Sequence, residues 1–333
     1  MIRKLILKFA LIFISIATFG QFEKHQSFEH LDSISRVYLR ANKLDSAILA
    51  VEFALDKYPA HDEKATFILG FLYVRAGYDS KALSNWDYGQ KKGYFYGLDN
   101  RLYKNHFGEN EGFKKIAKID KRFGEKLDSS SHIEYEIVRP KDYSENRKYP
   151  LIFVFHGNGR NLQKAKQTWT SDVMANKCIV VYLQACIHTS PYDYRWNLRD
   201  DKTTLELIEI YEEMVKINSV DTNKIILAGM SAGGMVAIDY GFNRTLAYTD
   251  YLLNCPVVPD IAIDLIDNFV STNKQIVIIT GENDFALNGQ KELIEKIKEK
   301  KGRAEIKIIE GLGHQFTEDF SFLLDEYLIK LIE

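Results

Sequence analysis

From Leu151 to the C-terminus, short runs rich in β-branched residues take turns with amphipathic stretches, and few folds accept that alternation. The runs are Leu151–Phe155, Ile179–Leu183, Lys224–Ala228, Tyr251–Asn254, Gln275–Thr280 and Ile306–Ile309. Helical spacing covers Thr203–Ile217, Ala232–Tyr240, Ile261–Phe269, Gly289–Lys300 and Glu318–Ile332. Continuous apolar strands are strands buried on both faces, so the pattern predicts a mostly parallel sheet with helices on both sides. His132–Arg139 alternates and adds one strand ahead of these. Sheets of this kind bind ligands beyond the carboxyl ends of their strands, which directs attention to the residues standing there.

The chain before this region follows a different period. Between about Ser27 and Phe123 apolar residues recur at helical spacing, with turn signals between segments. The stretch Ala41-Asn42-Lys43-Leu44-Asp45-Ser46-Ala47-Ile48 reappears 35 residues later as Ala76-Gly77-Tyr78-Asp79-Ser80-Lys81-Ala82-Leu83. Paired helices at this period resemble a tetratricopeptide repeat over about 70 residues, though several positions of the family pattern are missing. Such a layer implies a surface for a protein partner, or else a purely structural appendage. The polar segment Asp128-Ser129-Ser130-Ser131 reads as the linker, which divides the chain into residues 21–128 and 129–333.

Residues 1–20 stand apart. Arg3 and Lys4 precede a mostly apolar run from Leu5 to Phe19, and Thr18 and Gly20 suit a cut before Gln21. This reads as an export signal cleaved near Gly20, too short for a comfortable membrane span, and gives a secreted or periplasmic protein. Three cysteines are too few for a disulfide framework. Cys178 and Cys186 are the nearer pair, with their pairing left open. A net charge of -2 gives no basic surplus for nucleic acid. No metal-ligand cluster or phosphate-binding glycine loop is visible in the sequence, so neither metal nor cofactor is expected.

At the strand ends the chemistry is concentrated. Ile225-Ile226-Leu227-Ala228 runs into Gly229-Met230-Ser231-Ala232-Gly233-Gly234, and a helix follows. A G-x-S-x-G turn between strand and helix lifts the serine hydroxyl above the sheet, which makes Ser231 the candidate nucleophile. A serine needs a base within reach, and His314 is the one histidine that follows Ser231, in Gly311-Leu312-Gly313-His314. Asp284, in Gly281-Glu282-Asn283-Asp284 after the next-to-last strand, is the candidate acid, with Glu282 and Asp260 as rivals. The amide of Ala232 and that of Asn158, in His156-Gly157-Asn158-Gly159, are placed to form an oxyanion hole. His156 is expected to brace this loop. Tyr194, Arg195 and Trp196 lie in a long loop, Gln184 to Lys202, and are candidates for substrate binding.

These motifs, with Asp221 ahead of Lys224-Ile225, resemble the α/β-hydrolase superfamily from His132 to the C-terminus. They look like secreted esterases of the polyhydroxybutyrate-depolymerase and feruloyl-esterase type. The resemblance implies an α/β-hydrolase fold behind a small all-α region, and hydrolysis through an acyl-enzyme without a cofactor. The substrate it implies is a small or carbohydrate-linked ester. Two departures are the single strand before Leu151 and the lack of a large lid insertion. A serine peptidase of prolyl-oligopeptidase type shares the same core and is the alternative. A non-catalytic protein that binds through its repeats is another.

Overall fold

The computed structural model describes residues 22, 27–198, 200–243, 246 and 249–333. The export signal expected over residues 1–20, with its cut at Gly20, lies outside the described residues. Two compact units divide at Lys126 and Leu127. No helix among the described residues is long and apolar enough to cross a membrane.

Among the described residues the N-terminal unit is all helical. Its helices are α1 (Phe28–Arg40), α2 (Leu44–Lys57), α3 (Asp62–Arg75), α4 (Asp79–Lys91) and α5 (Arg101–Phe107), followed by α6 (Glu111–Ser130), which carries the division between the units. The repeated stretches make the same turn twice. Lys43 N donates to Tyr38 O, and 35 residues on Tyr78 N donates to Tyr73 O, both at 2.8 Å. Asn42 and Gly77 fill the left-handed position of each turn, at φ 56° and 76°, the conformation Gly and Asn adopt most cheaply. Ala47 and Ala82, the small residues of each copy, are both buried. The expected linker is corrected here: Asp128, Ser129 and Ser130 form the last turn of α6. Polar residues leave a helix end solvated without breaking it, so composition alone does not tell a linker from a helix end.

Among the described residues of the C-terminal unit, seven strands form one sheet in the order β1-β3-β2-β6-β7-β8-β9. They are β1 (Glu134–Val138), β2 (Tyr149–Phe155), β3 (Ile179–Gln184), β6 (Val220–Met230), β7 (Asp250–Asn254), β8 (Gln275–Gly281) and β9 (Arg303–Ile309). β1 runs antiparallel to β3, and the remaining pairs are parallel. Successive residues point to opposite faces, and the core obeys that period. Phe153, Phe155, Ile225 and Leu227 belong to one apolar cluster, while Ile152, Val154, Ile226 and Ala228 belong to another.

The first face is covered by α9 (Asp201–Ile217), α10 (Ala232–Phe242), α11 (Ile263–Ser271) and α12 (Leu287–Glu299). The second is covered by α7 (Leu162–Thr168), α8 (Asp172–Lys177) and α13 (Phe320–Ile332). A hairpin of β4 (Ile187–Ser190) and β5 (Asp193–Arg195) occupies the expected long loop. Cys178, Cys186 and Cys255 are free and buried. Cys178 and Cys186 flank the two ends of β3, a six-residue strand and therefore about 20 Å long, several times the reach of a disulfide.

Candidate active site

Because β2, β6, β7, β8 and β9 are parallel neighbours, the loops that follow them share one edge of the sheet. Ser231 follows β6, Asp284 follows β8, His314 follows β9, and the Gly157–Asn158 turn follows β2. Ser231 has φ 57° and ψ -120°, a strained conformation for a residue with a Cβ. Backbone bonds hold it there: Ser231 N donates to Asn254 O at 3.1 Å, and Val257 N donates to Ser231 O at 3.2 Å. Gly233 lets α10 start so close to the sheet. A Cβ at Gly233 would meet Phe155 O at 2.2 Å.

The loops after β8 and β9 are tied together before any side chain is considered. Glu282 N donates to Ile309 O at 2.9 Å and Asn283 N to Leu312 O at 2.8 Å. Glu282 also accepts the amide of Gly311 through its carboxylate, at 3.0 Å. This frame sets His314 over the sheet edge. Its Nε2 lies 2.8 Å from Ser231 Oγ, and its Nδ1 lies 3.0 Å from both carboxylate oxygens of Asp284. A carboxylate facing Nδ1 fixes the proton there and leaves Nε2 to accept from the serine hydroxyl.

Asp284 is only 6% exposed. Burial alone would raise its pKa, but the Ala286 amide, the Cys255 thiol and His314 outweigh burial and hold it below the usual carboxylate range. Thr280 Oγ1 donates to the same carboxylate at 3.1 Å. Cys255 is pushed up to about 11 by burial and by its contact with Asp284, so it stays a thiol. Cys255, Asp284 and His314 offer atoms within 4.8 Å of one another that could ligate a metal. The hydrogen bonds to Ser231, Thr280 and Ala286 already engage the aspartate and the histidine.

The Gly157–Asn158 turn is braced from below. His156 is 2% exposed. Its Nε2 accepts from Ala185 N at 3.1 Å, so Nδ1 carries the proton and donates to Gly157 O at 2.7 Å. Trp196 Nε1 donates to His156 O at 2.8 Å. Tyr194 N donates to Arg160 O at 2.9 Å, and Gly159 N donates to Tyr194 O at 3.0 Å. A Cβ built on Gly157 would lie 3.6 Å from the Cβ of Ser231, which brings this turn to the serine. Ala232, at the first position of α10, has an amide without an intrahelical acceptor.

Burial pushes the His156 imidazole down to about 4 from its ordinary 6.5, against the Gly157 carbonyl, which favours the charged form. The sign follows. Between pH 6.5 and 4 the unfolded chain takes up a proton that the folded one refuses, so stability falls as the pH falls through that window. Urea unfolding of the wild type against His156→Gln is expected to show the wild-type advantage shrinking by up to about 3 kcal/mol between pH 7 and 4. A constant difference across that window contradicts the assignment.

The structure thus brings Ser231, Asp284, His314, Ala232 and the Asn158 turn together. It does not bring Trp196 to them as an open platform. Trp196 is 5% exposed, packed on the rings of Phe155 and His156, and its indole N–H is spent on the loop. Tyr194 is half-buried, with its ring against His188 at 4.7 Å. Arg195 is exposed on β5, opposite Ile187. The expectation of a stacking surface is therefore corrected for Trp196, whose buried ring braces the Asn158 turn, as the backbone of Tyr194 does. Sequence reasoning missed Phe285, 75% exposed and with its ring 4.5 Å from that of His314. Its only signal was adjacency to Asp284.

The model of the family "platelet-activating factor acetylhydrolase, isoform II" matches residues 200–333, which hold the serine, the aspartate and the histidine. No curated relative matches. Among solved structures, an uncharacterized protein from Bacillus cereus is similar at 17% identity over 92% of this chain and 99% of its own, with a TM-score of 0.45. The thermophilic esterase Est2 of the planctomycete Thermogutta terrifontis is similar at 16% identity over 60% of this chain and 90% of its own, with a TM-score of 0.46. Esterase PE8 gives 16% identity over 60% and 100%, with a TM-score of 0.47. The C-terminal unit has the α/β-hydrolase fold. Its strand order, with one antiparallel edge strand and helices on both faces, carries that conclusion.

Proposed function

We propose that Ser231, His314 and Asp284 are the nucleophile, base and acid of a serine hydrolase that cleaves carboxylic esters. The observation that carries this reading is the unbroken chain of contacts from Ser231 Oγ to His314 Nε2 at 2.8 Å and from His314 Nδ1 to Asp284 at 3.0 Å. Ser231 Oγ attacks the ester carbonyl carbon while its proton passes to His314 Nε2. The amides of Ala232 and Asn158 receive the developing oxyanion. Collapse expels the alcohol, which takes the proton back from His314, and leaves an acyl group on Ser231. Water then repeats the sequence and releases the acid. Asp284 stays ionised throughout and stabilises the charged imidazole.

An acetylhydrolase by name is the family whose model matches the segment bearing all three residues, which favours ester over peptide bonds. The finer reading is an exported esterase of the polyhydroxybutyrate-depolymerase or feruloyl-esterase type acting on small or carbohydrate-linked esters. The helical repeats of the N-terminal unit are a candidate surface for a protein partner. Purified protein is expected to hydrolyse ethyl butyrate and phenyl acetate and to leave prolyl peptide substrates intact. Peptide cleavage with no ester turnover sinks the ester reading and favours the oligopeptidase alternative.

A further inference from the structure

The pocket beside Ser231 has a chemical asymmetry that the triad does not use. It encloses about 140 Å³, room for roughly four or five water-sized volumes. Ala165, Trp169, Met230 and Phe316 give it an apolar floor. That floor is rigid. Trp169 stands edge-on to Phe316 and Phe320, and Tyr182 donates its hydroxyl to Trp169 O at 2.5 Å.

Two cations, Arg160 and Lys164, line the same pocket, and its lining holds no carboxylate among the described residues. His156, also in the lining, is neutral at ordinary pH. Lys164 is already committed to Asp193, with Nζ 2.5 Å from the carboxylate. Arg160 has no carboxylate within ion-pair distance among the described residues, and its side chain is exposed. Its backbone, by contrast, is fixed by the bridge to Tyr194. Gly157 belongs to the pocket as well and adjoins Ser231, so a group in the pocket is only a few bonds from a carbonyl at Ser231 Oγ.

We propose that this pocket takes an ester whose acyl or alcohol part carries a carboxylate, and that Arg160 selects it. The inference rests on the serine-esterase reading above. A guanidinium presents a planar fork of donors that matches a carboxylate, and it acts from a backbone already held in place. The apolar floor takes the short hydrocarbon between carboxylate and scissile carbonyl. Lys164 adds positive field but is screened by Asp193.

Two pairs of substrates test this with the full chain. Monoethyl succinate against ethyl butyrate places the carboxylate on the acyl side, and 4-acetoxybenzoate against phenyl acetate places it on the alcohol side. The reading is the charged-to-neutral ratio of kcat/KM in wild type, Arg160→Ala and Arg160→Lys. Ratios within each variant cancel any general loss of activity. In one pair Arg160→Ala is expected to lower the ratio about 10- to 100-fold, the range of one charged hydrogen bond. Arg160→Lys should restore part of it, and added salt should compress the wild-type preference. The pair that responds identifies the side. Ratios unchanged within twofold in both pairs overturn the proposal while turnover of the neutral esters leaves the esterase reading standing. Failure of the wild type on all four esters overturns both.

Discussion

Ser231→Ala is expected to abolish labelling by a fluorophosphonate probe and to lower kcat/KM for short esters by about 10⁴- to 10⁶-fold. The protein should keep its fold. Ser231 stands at the first position before α10, so a helix-capping serine is the competing explanation for the glycine-rich turn. The contacts of its side chain favour the nucleophile. The Ser231 side chain makes no capping hydrogen bond to the helix; it meets His314 Nε2 at 2.8 Å. Loss of a cap costs on the order of 1 kcal/mol in stability and nothing in chemistry. Loss of a nucleophile does the reverse. The bonds that force φ 57° run through backbone atoms of Ser231, Asn254 and Val257, and alanine keeps them all. Thermal unfolding within a few degrees of wild type, with labelling gone, is the expected pair of results. A labelled Ser231→Ala protein, or a folded wild type that takes no label, removes Ser231 from the mechanism.

The part of this site that was legible in the sequence is the part written in backbone and chain order. A strand running into Gly229-Met230-Ser231-Ala232-Gly233 leaves one way for the chain to turn, and one histidine follows it in sequence. The 35-residue repeat was legible for a similar reason, since Asn42 and Gly77 mark left-handed turns. What stayed hidden depends on where side chains point. The β4–β5 hairpin has no apolar alternation to announce it. It is held by contacts such as Thr189 Oγ1 to Asp193 O at 3.0 Å and Tyr192 N to Ser190 Oγ at 3.2 Å. Trp196 reads as a ligand platform in a loop, and only the packed structure shows its indole N–H spent on His156 O. Phe285, by the same token, has an ordinary address beside Asp284 and an extraordinary exposure. Helices α7 and α8 have seven and six residues, too short for periodicity to declare them, and α7 supplies Lys164 and Ala165 to the pocket.

Asp284→Asn should lower kcat by about 10⁴-fold, with little change in KM, because it disturbs the histidine without touching substrate. The size of the effect follows from how the carboxylate is used. Its Oδ1 accepts from Ala286 N at 2.7 Å and its Oδ2 from Thr280 Oγ1 at 3.1 Å, while His314 Nδ1 lies 3.0 Å from both. Every one of these partners can serve as a donor. An asparagine must turn its NH₂ toward one of them, so either a local bond is lost or Nδ1 is driven to the unprotonated tautomer. In the second case Nε2 carries the proton and can no longer receive the one from Ser231. Charge is lost as well, so the imidazolium formed during attack has no counter-ion in a buried setting.

The two rival carboxylates give the control. Glu282 accepts from Gly311 N at 3.0 Å and so steadies the loop that carries His314. Asp260 borders a different recess, shared with Asp201 and Asp239. Glu282→Gln keeps an acceptor for the Gly311 amide, and Asp260→Asn changes nothing that His314 touches, so both are expected to stay within about tenfold of wild type. Single-turnover acylation, followed by the burst of phenol from phenyl acetate, would show the Asp284→Asn loss in the chemical step. An Asp284→Asn enzyme with near wild-type acylation, beside a crippled Glu282→Gln or Asp260→Asn enzyme, would move the acid to that residue and leave the short contacts around Asp284 as packing.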